Sequence, residues 1–462
     1  MRPRNQIARD QLLSLLGRLG PVSATLLAEQ LGVSVATLHR LLDECRPQIV
    51  TCGRARRTRH AVRRALRGEQ TDLPLYEIDR DGRAGVIGAL SAVLPQGHAC
   101  AGLAEAGWPV PQESRDGWWD GLPYPLHDMR PQGYIGRQIA RAEHRALGVA
   151  PDPNTWNDDE VLIVLSRIGA DTSGSLILGD VAFERWQQTL LQPPEPLPEV
   201  GLPAAYAALA ERALAAGVPG SSAAGEFPKF SVLRAGTGST DTPHVLVKFS
   251  GADGSPPVQR WADLLVCEHL ALDAAATLPG VSSARSRVLQ HGGRTFLEVE
   301  RFDRHGLWGR SRLASLGTLD ATLLGDGSHD WTRLAARLAA GGWLADDAVT
   351  VVQRLWWFGR LIANSDMHTG NLSLRPQHGR LTLAPTYDML PMLYAPLPGG
   401  ELPVREFEPA LPLPPQRACW IEACAAARRF WSRAAQDERL SESFRGICRD
   451  NEIRLQQVAE RV

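Results

Sequence analysis

Asp366 and Asn371 stand five positions apart in Leu361-Ile-Ala-Asn-Ser-Asp366-Met-His368-Thr-Gly-Asn371-Leu-Ser-Leu374, a polar stretch between apolar runs. A carboxylate on such a loop can accept the proton of an attacking hydroxyl, and an amide oxygen further along can hold a hard cation. Downstream, Tyr387-Asp388 follows the apolar run Leu381-Thr-Leu-Ala384, which puts a second carboxylate at a strand end. Two acids and one amide in this order are the donor set that magnesium-assisted phosphoryl transfer needs. Asp366 is the candidate base, and Asn371 and Asp388 are the candidate metal ligands. His368 either orients Asp366 or meets phosphate.

Other elements must bring a phosphate donor to these groups. His244-Val-Leu-Val-Lys248-Phe249 reads as a strand with one lysine pointing off it, suited to phosphate. The helix expected over 260–276 carries two acids, Asp263 and Glu268, either of which could partner Lys248. Ahead of the strand, the small-residue loop Gly220-Ser-Ser222-Ala-Ala224-Gly225-Glu226-Phe227-Pro228-Lys229 can cradle phosphate with backbone amides. Phe296-Leu-Glu-Val-Glu300-Arg301-Phe302-Asp303-Arg304 reads as a strand leaving into a connection, where backbone atoms would meet a base and Asp303 a ribose. Residues 332–362 are mostly helical and deliver the chain to the Asp366 loop.

The bulk properties fit an ordinary globular protein. The chain has 462 residues, 44% of them hydrophobic, and a net charge of −1. This length allows two to four domains and excludes a disordered composition. No apolar run approaches the roughly 18 residues of a membrane span. The basic, amphipathic N-terminus reads as a folded helix rather than a signal peptide. Seven cysteines without a C-x-x-C pair read as scattered reduced thiols, as in a cytoplasmic protein.

The charge is unevenly placed. Seven arginines and no acid lie between Gly53 and Gly68. Upstream, leucines at 12, 13, 15, 16 and 19 mark an amphipathic helix. Ser23 and Ser34 are natural N-caps, and Gly32 is a turn between two short helices. Gln48-Ile-Val-Thr-Cys52 and Thr58-Arg-His-Ala-Val62 then read as a hairpin with an arginine-rich tip. Three helices and a basic hairpin predict a winged helix-turn-helix that binds double-stranded DNA. Thr37, His39 and Arg40 would lie near base edges, and Arg54, Arg56, Arg57 and Arg59 would hold phosphate. The polar stretch at 63–73 reads as a linker, and the prolines at 193–198 as a further boundary.

Taken together, these motifs resemble one family, the HipA-type serine/threonine kinases, toxins of bacterial toxin-antitoxin systems. The matching residues are Ser222-x-Ala-Gly225-x-x-x-Lys229, Val247-Lys248, Val299-Glu300-Arg-Phe-Asp303-Arg304, Asp366-x-His368-x-x-Asn371 and Tyr387-Asp388. Upstream, Leu122-Pro-Tyr-Pro-Leu-His-Asp128-Met-Arg-Pro131-x-Gly133 and Ile168-Gly-Ala-Asp171-x-x-Gly174-Ser-Leu176 look like that family's N-terminal subdomain. The resemblance covers about 75–460 and points to the YjjJ-like subgroup, which carries a helix-turn-helix ahead of the kinase.

The resemblance implies an α+β, two-lobed protein-kinase-like fold behind a winged helix-turn-helix. The expected domains are 1–67 (DNA-binding), 74–200 (HipA N-terminal-like), 201–303 (N-lobe) and 304–462 (helical C-lobe). It implies ATP and Mg2+ as cofactors, with Asp366 and His368 at the catalytic step. Ala224 to Lys229, Lys248, Glu300, Arg301, Phe302, Asp303, His368, Asn371, Tyr387 and Asp388 would bind ATP, and Ser222 would be an autophosphorylation site. Implied partners are a protein substrate such as an aminoacyl-tRNA synthetase, DNA and a separate antitoxin. Two departures stand out: Gly370 where many members have lysine, and Glu226-Phe-Pro where the family usually has Ala-Gln-Glu. Two rival functions remain at this point. One is a DNA-binding transcriptional regulator with a degraded, nucleotide-binding kinase domain. The other is a small-molecule or lipid kinase.

Overall fold

The structure is a computed structural model that describes residues 3–68, 72–215, 226–236 and 242–462. The chain builds three packed units.

The N-terminal unit begins with the helix Pro3–Leu19. Ser23 then caps Ala24–Leu31 through Leu26 N, and Gly32 closes that helix in the left-handed region at φ 63°. Ser34 caps Val35–Glu44 by accepting from Thr37 N at 3.2 Å. Leu12, Leu16, Leu27, Leu38 and Leu41 form its core. A hairpin of Ile49–Cys52 and Arg59–Val62 follows, and Val22–Ser23 adds a third antiparallel strand.

The stretch expected to be a linker is docked in its described part, residues 63–68. Arg63 bridges Val93, Arg64 N donates to Ala92 O at 2.8 Å, and Leu94 N donates to Val62 O at 2.9 Å. Val50 and Ala61 of the hairpin share an apolar cluster with Val93, Ala99 and Trp118. Three of the seven arginines are spent here. Arg63 pairs with Asp72, Arg64 with Asp159, and Arg67 donates to Leu147 O and Gly148 O. Chain polarity suggested a linker, but polar groups on a docked segment look the same in sequence.

The middle unit is a five-stranded antiparallel sheet in the order Trp118–Trp119, His98–Cys100, Ala84–Ala92, Leu73–Ile78, Leu176–Leu178. Helices Gly133–Leu147, Asp158–Ile168 and Asp180–Leu191 accompany it. Asn157 and Glu160 cap the second of these reciprocally.

The C-terminal half has two lobes. Its first lobe is a four-stranded antiparallel sheet ordered Ser286–His291, Arg294–Glu300, His244–Phe249, Lys229–Leu233. The helix Pro256–Ala275 packs beneath it and is buried on nearly every side, its buried polar residues Arg260, Asp263 and Glu268 included. Its second lobe carries Trp331–Ala340, Asp346–Leu361, Arg417–Gln436 and Glu442–Ala459, with the small sheet Ala314–Ser315, Ser373–Gln377, Arg380–Leu383 facing the first lobe. Among the described residues no helix is long and apolar enough to cross a membrane.

Candidate functional site

A cleft of about 1060 Å3 lies between the two lobes and is walled on a third side by the middle unit. Strand alternation decides what faces it. Val245, Val247 and Phe249 are fully buried on the far side of their strand, so Leu246 and Lys248 line the cleft.

Lys248 Nζ donates to Glu268 Oε1 at 2.7 Å and Oε2 at 2.8 Å, and also to Asp388. Asp263, the rival partner, instead accepts from Ser441 N at 2.8 Å and Ser441 Oγ at 2.6 Å, the N-cap of the last helix. Burial disfavours the Lys248 ammonium, but the carboxylates of Asp388 and Glu268 outweigh it and raise its pKa. A single cation cannot neutralise two carboxylates. Burial and the Asp388 charge push the deeper acid, Glu268, up to about 7 against the pull of Lys248. Asp388 resists its own burial and is held below the usual carboxylate range by Lys248 and Lys229. Its backbone sits at φ 52°, strained for a residue with a Cβ.

The Asp366 loop leaves the helix Asp346–Leu361 through Ala363 at φ 57°. Residue 366 is gripped by its backbone, not its carboxylate. Its N–H donates to Asn364 Oδ1 at 3.0 Å, and its carbonyl accepts from Asn371 Nδ2 at 2.8 Å. Asn364 also donates to Asp388 O at 3.4 Å, so one buried amide ties both acidic segments together. Met367 lies over Gly359, where a Cβ would stand 2.5 Å from its Sδ. The Asp366 side chain is thus left exposed in the cleft. Burial of its surroundings and the Asp388 charge raise its pKa, and His368 opposes this.

His368 caps the next turn rather than Asp366: Nδ1 accepts from Gly370 N at 3.1 Å. Its carbonyl accepts from Trp331 Nε1 at 3.2 Å. Tyr387 OH donates to Gly370 O at 2.6 Å, and its ring lies 5.6 Å from Phe302. Asn371 spends its amide nitrogen on the Asp366 carbonyl, so its oxygen is the atom turned to other uses. That oxygen and the Asp388 carboxylate are hard donors of the kind magnesium takes, together with water and substrate phosphates. No group of three or more His, Cys, Asp or Glu among the described residues could hold a metal alone.

The connection between lobes differs in one respect from expectation. Asp303 lines the cleft but is only 5% exposed, and its carboxylate is largely taken up. It accepts from Gly174 N at 2.9 Å, Arg301 Nη2 at 3.1 Å and Arg304 Nη1 at 2.6 Å. These partners overcome its burial and hold its pKa well below the usual range. Three of these bonds fall on Oδ2, so Asp303 also braces the connection against the middle unit, while Oδ1 takes one bond, from Arg301 Nε at 3.2 Å. Glu300 is likewise taken up by Arg234 at 2.7 Å, and Arg301 by Asp171 at 2.9 Å. What remains for a base here is main chain and the Phe302 ring.

Glu226, Phe227 and Lys229 line the cleft from the loop side, with Phe227 edge-on to Trp261 at 4.8 Å and Pro228 accepting Phe249 N at 3.0 Å. Ser222, Ala224 and Gly225 lie outside the described residues.

In the N-terminal unit His39 and Arg40 are exposed on the helix Val35–Glu44, while Thr37 is half-buried against Ser34. Arg54 meets Glu105 at 3.2 Å and Arg57 meets Asp116 at 4.0 Å, both exposed and weak. Among the described residues, Arg56 and Arg59 make no ion pair and stay exposed.

Sequence reading missed Asn364, Trp331 and the middle-unit cation Arg137 beside Glu226. Asn364, two residues before Asp366, offered a weak signal. The other two act from distant segments.

Two family descriptions match the chain: "YjjJ-like toxin, middle domain" over residues 69–187 and "HipA-like C-terminal domain" over residues 221–453. The chain is similar to Toxin YjjJ of Escherichia coli (strain K12), 35% identical over 444 residues, covering 96% of this chain and 97% of the relative. It is also similar to Putative kinase Y4mE of Sinorhizobium fredii, 28% identical over 58% of this chain and 65% of that one. Among solved structures, a chain of the Shewanella oneidensis MR-1 toxin-antitoxin complex of HipA, HipB and operator DNA superposes with a TM-score of 0.52. The overlap spans 84% of this chain and 97% of that chain at 17% identity, a likeness of fold.

Proposed function

The chain belongs to the HipA-like family, among the YjjJ-type toxins with a kinase-like fold, and from this premise we propose that it is an ATP- and magnesium-dependent serine/threonine protein kinase. The observation that carries the reading is the Lys248 cluster: a buried lysine held by Glu268 reaches Asp388, and Asn364 joins Asp388 to the Asp366 loop.

In this reading Lys248, Lys229 and the amides of 224–229 receive the nucleotide phosphates. The main chain of Glu300 to Phe302, with the Phe302 and Tyr387 rings, receives adenine. Asn371 and Asp388 would hold magnesium, which would supply charge neutralisation at the phosphates. Asp366 takes the proton of a serine or threonine hydroxyl as its oxygen forms the new bond to the γ-phosphorus. The bond from that phosphorus to the bridging oxygen breaks, and ADP leaves. A raised pKa makes Asp366 a better base than an ordinary aspartate. His368 sets the turn that presents Asn371. Ser222 stands as the autophosphorylation site. The substrate is a cytoplasmic protein, an aminoacyl-tRNA synthetase being one candidate.

Three helices followed by an antiparallel hairpin support reading the first 67 residues as a winged helix-turn-helix, and we assign them to double-stranded DNA. The reading is supported by His39 and Arg40 on the third helix and Arg56 and Arg59 at the hairpin tip, all exposed. The solved relative's complex contains an antitoxin and operator DNA, so an antitoxin partner is proposed here too.

A second reading, a DNA-binding regulator with an inactive nucleotide site, is favoured by one observation: Glu226 already neutralises Lys229 in the cleft at 2.7 Å. Binding and turnover of magnesium-ATP separate the two. The kinase reading expects both in the wild type and loss of turnover in Asp388→Asn. Binding without turnover would favour the regulator.

A further inference from the structure

The middle unit places a cation against the nucleotide-side loop. Arg137 Nη2 lies 3.1 Å from Glu226 Oε2, and Lys229 Nζ lies 2.7 Å from Glu226 Oε1. The main-chain N–H of Tyr134, in the first turn of the Gly133–Leu147 helix, also bonds to Glu226. Gly133, at φ 59°, leaves the room this needs, since a Cβ there would stand 2.5 Å from Glu226 Oε1. One carboxylate therefore occupies a nest of two cations and an amide.

That nest opens on the cleft. Glu226, Lys229 and Gly133 line the same cavity as Lys248 and Asp388, and Lys229 lies opposite Lys248 in the strand register. Lys248 is committed to Glu268 and Asp388. The ion pairs that hold Lys229 and Arg137 go to Glu226, whose side chain is 26% exposed. Rotation of that single side chain would release both cations, Lys229 on the cleft wall and Arg137 directly behind Glu226.

We infer that Arg137 is a polyphosphate-binding residue lent to the cleft by the middle unit, and that Glu226 is its resident competitor. In the empty cleft the carboxylate satisfies Arg137 and Lys229. The terminal phosphates of a nucleoside di- or triphosphate, carrying more charge, displace it and take the same two cations. Nucleotide affinity is thereby held down by the chain itself. The middle unit also senses whether phosphate is present, because Arg137 changes partner. The inference rests on the nucleotide reading of the cleft.

The test is calorimetric titration of the full chain with magnesium-ATP, magnesium-ADP and adenosine, in wild type, Glu226→Gln, Arg137→Gln and Arg137→Lys. Expected are ATP affinity about two- to fivefold tighter in Glu226→Gln, weaker by a similar factor in Arg137→Gln, and partly restored in Arg137→Lys. Adenosine binding should not change, because it carries no phosphate to compete. Equal shifts for adenosine and ATP would overturn the inference, since Glu226 and Arg137 would then only brace the loop. Unchanged or weaker ATP binding in Glu226→Gln would overturn it as well. If the wild type binds none of the three ligands, the nucleotide reading itself fails. If it binds ATP and loses it in Lys248→Met while Glu226→Gln behaves as wild type, this inference alone fails.

Discussion

Lys248 of the sheet and Asp388 of the opposite lobe are joined by an ion pair across the cleft, while Glu268 holds the same ammonium from below at 2.7 Å. One lysine thus ties together the strand, the helix beneath it and the loop that carries the second acid. Removing it leaves two carboxylates without their cation in a largely buried place. Lys248→Met should therefore cost about 3–5 kcal/mol of folding stability, well above an ordinary surface substitution. Urea unfolding measures this. A variant as stable as wild type would mean that the cluster is dispensable to the fold.

The same cluster gives stability a dependence on pH. Glu268 in the folded chain is pushed up to about 7, against 4.5 for an ordinary glutamate. Between those values the folded chain keeps a proton that the unfolded chain has lost, so the Glu268 contribution to stability falls as pH rises through that window. Glu268→Gln removes the titrating group. Its melting temperature should decline less than that of wild type between pH 5 and pH 8. Identical slopes would refute the assignment.

The arginine island divides into two functional sets. Among the described residues Arg56 and Arg59 make no ion pair and are exposed, whereas Arg64 pairs with Asp159 and Arg67 with the end of the Gly133–Leu147 helix. Ala at 56 and 59 should weaken binding to any duplex DNA and lower the salt slope by about one per residue, at unchanged melting temperature. Arg64→Ala should instead lower stability by about 1 kcal/mol or less and speed proteolysis near the junction. DNA titrations at two salt concentrations, with thermal melts alongside, distinguish the sets. The reverse pattern would mean that the tip arginines are structural.

The legibility of the chain followed the range of its interactions. Ser23, Gly32 and Ser34 act within their own turns, and their capping roles were readable. That Asp366, Asn371 and Asp388 share one cleft was readable from their order on two polar segments that each follow an apolar run. Asp263 and Glu268 were not separable, since both lie on a helix buried nearly all round and no polar stripe marks the face toward Lys248. The bracing of Asp303 was not readable, because its partner Gly174 lies in the middle unit, far along the chain. The 63–73 stretch looked like a linker for the same reason: Asp159 and Leu147, which hold it, are far along the chain.

In the proposed reaction the Asp366 carboxylate accepts a proton during phosphoryl transfer. Because the loop holds residue 366 through its backbone, Asp366→Asn should leave the fold intact and the melting temperature within about 0.5 kcal/mol equivalent of wild type. The most direct measurement is intact mass of wild type and Asp366→Asn after incubation with magnesium-ATP. Expected is added phosphate in the wild type, mapping to Ser222, and none in the variant, a rate loss of about 100-fold or more. Equal phosphorylation of the two proteins would contradict it.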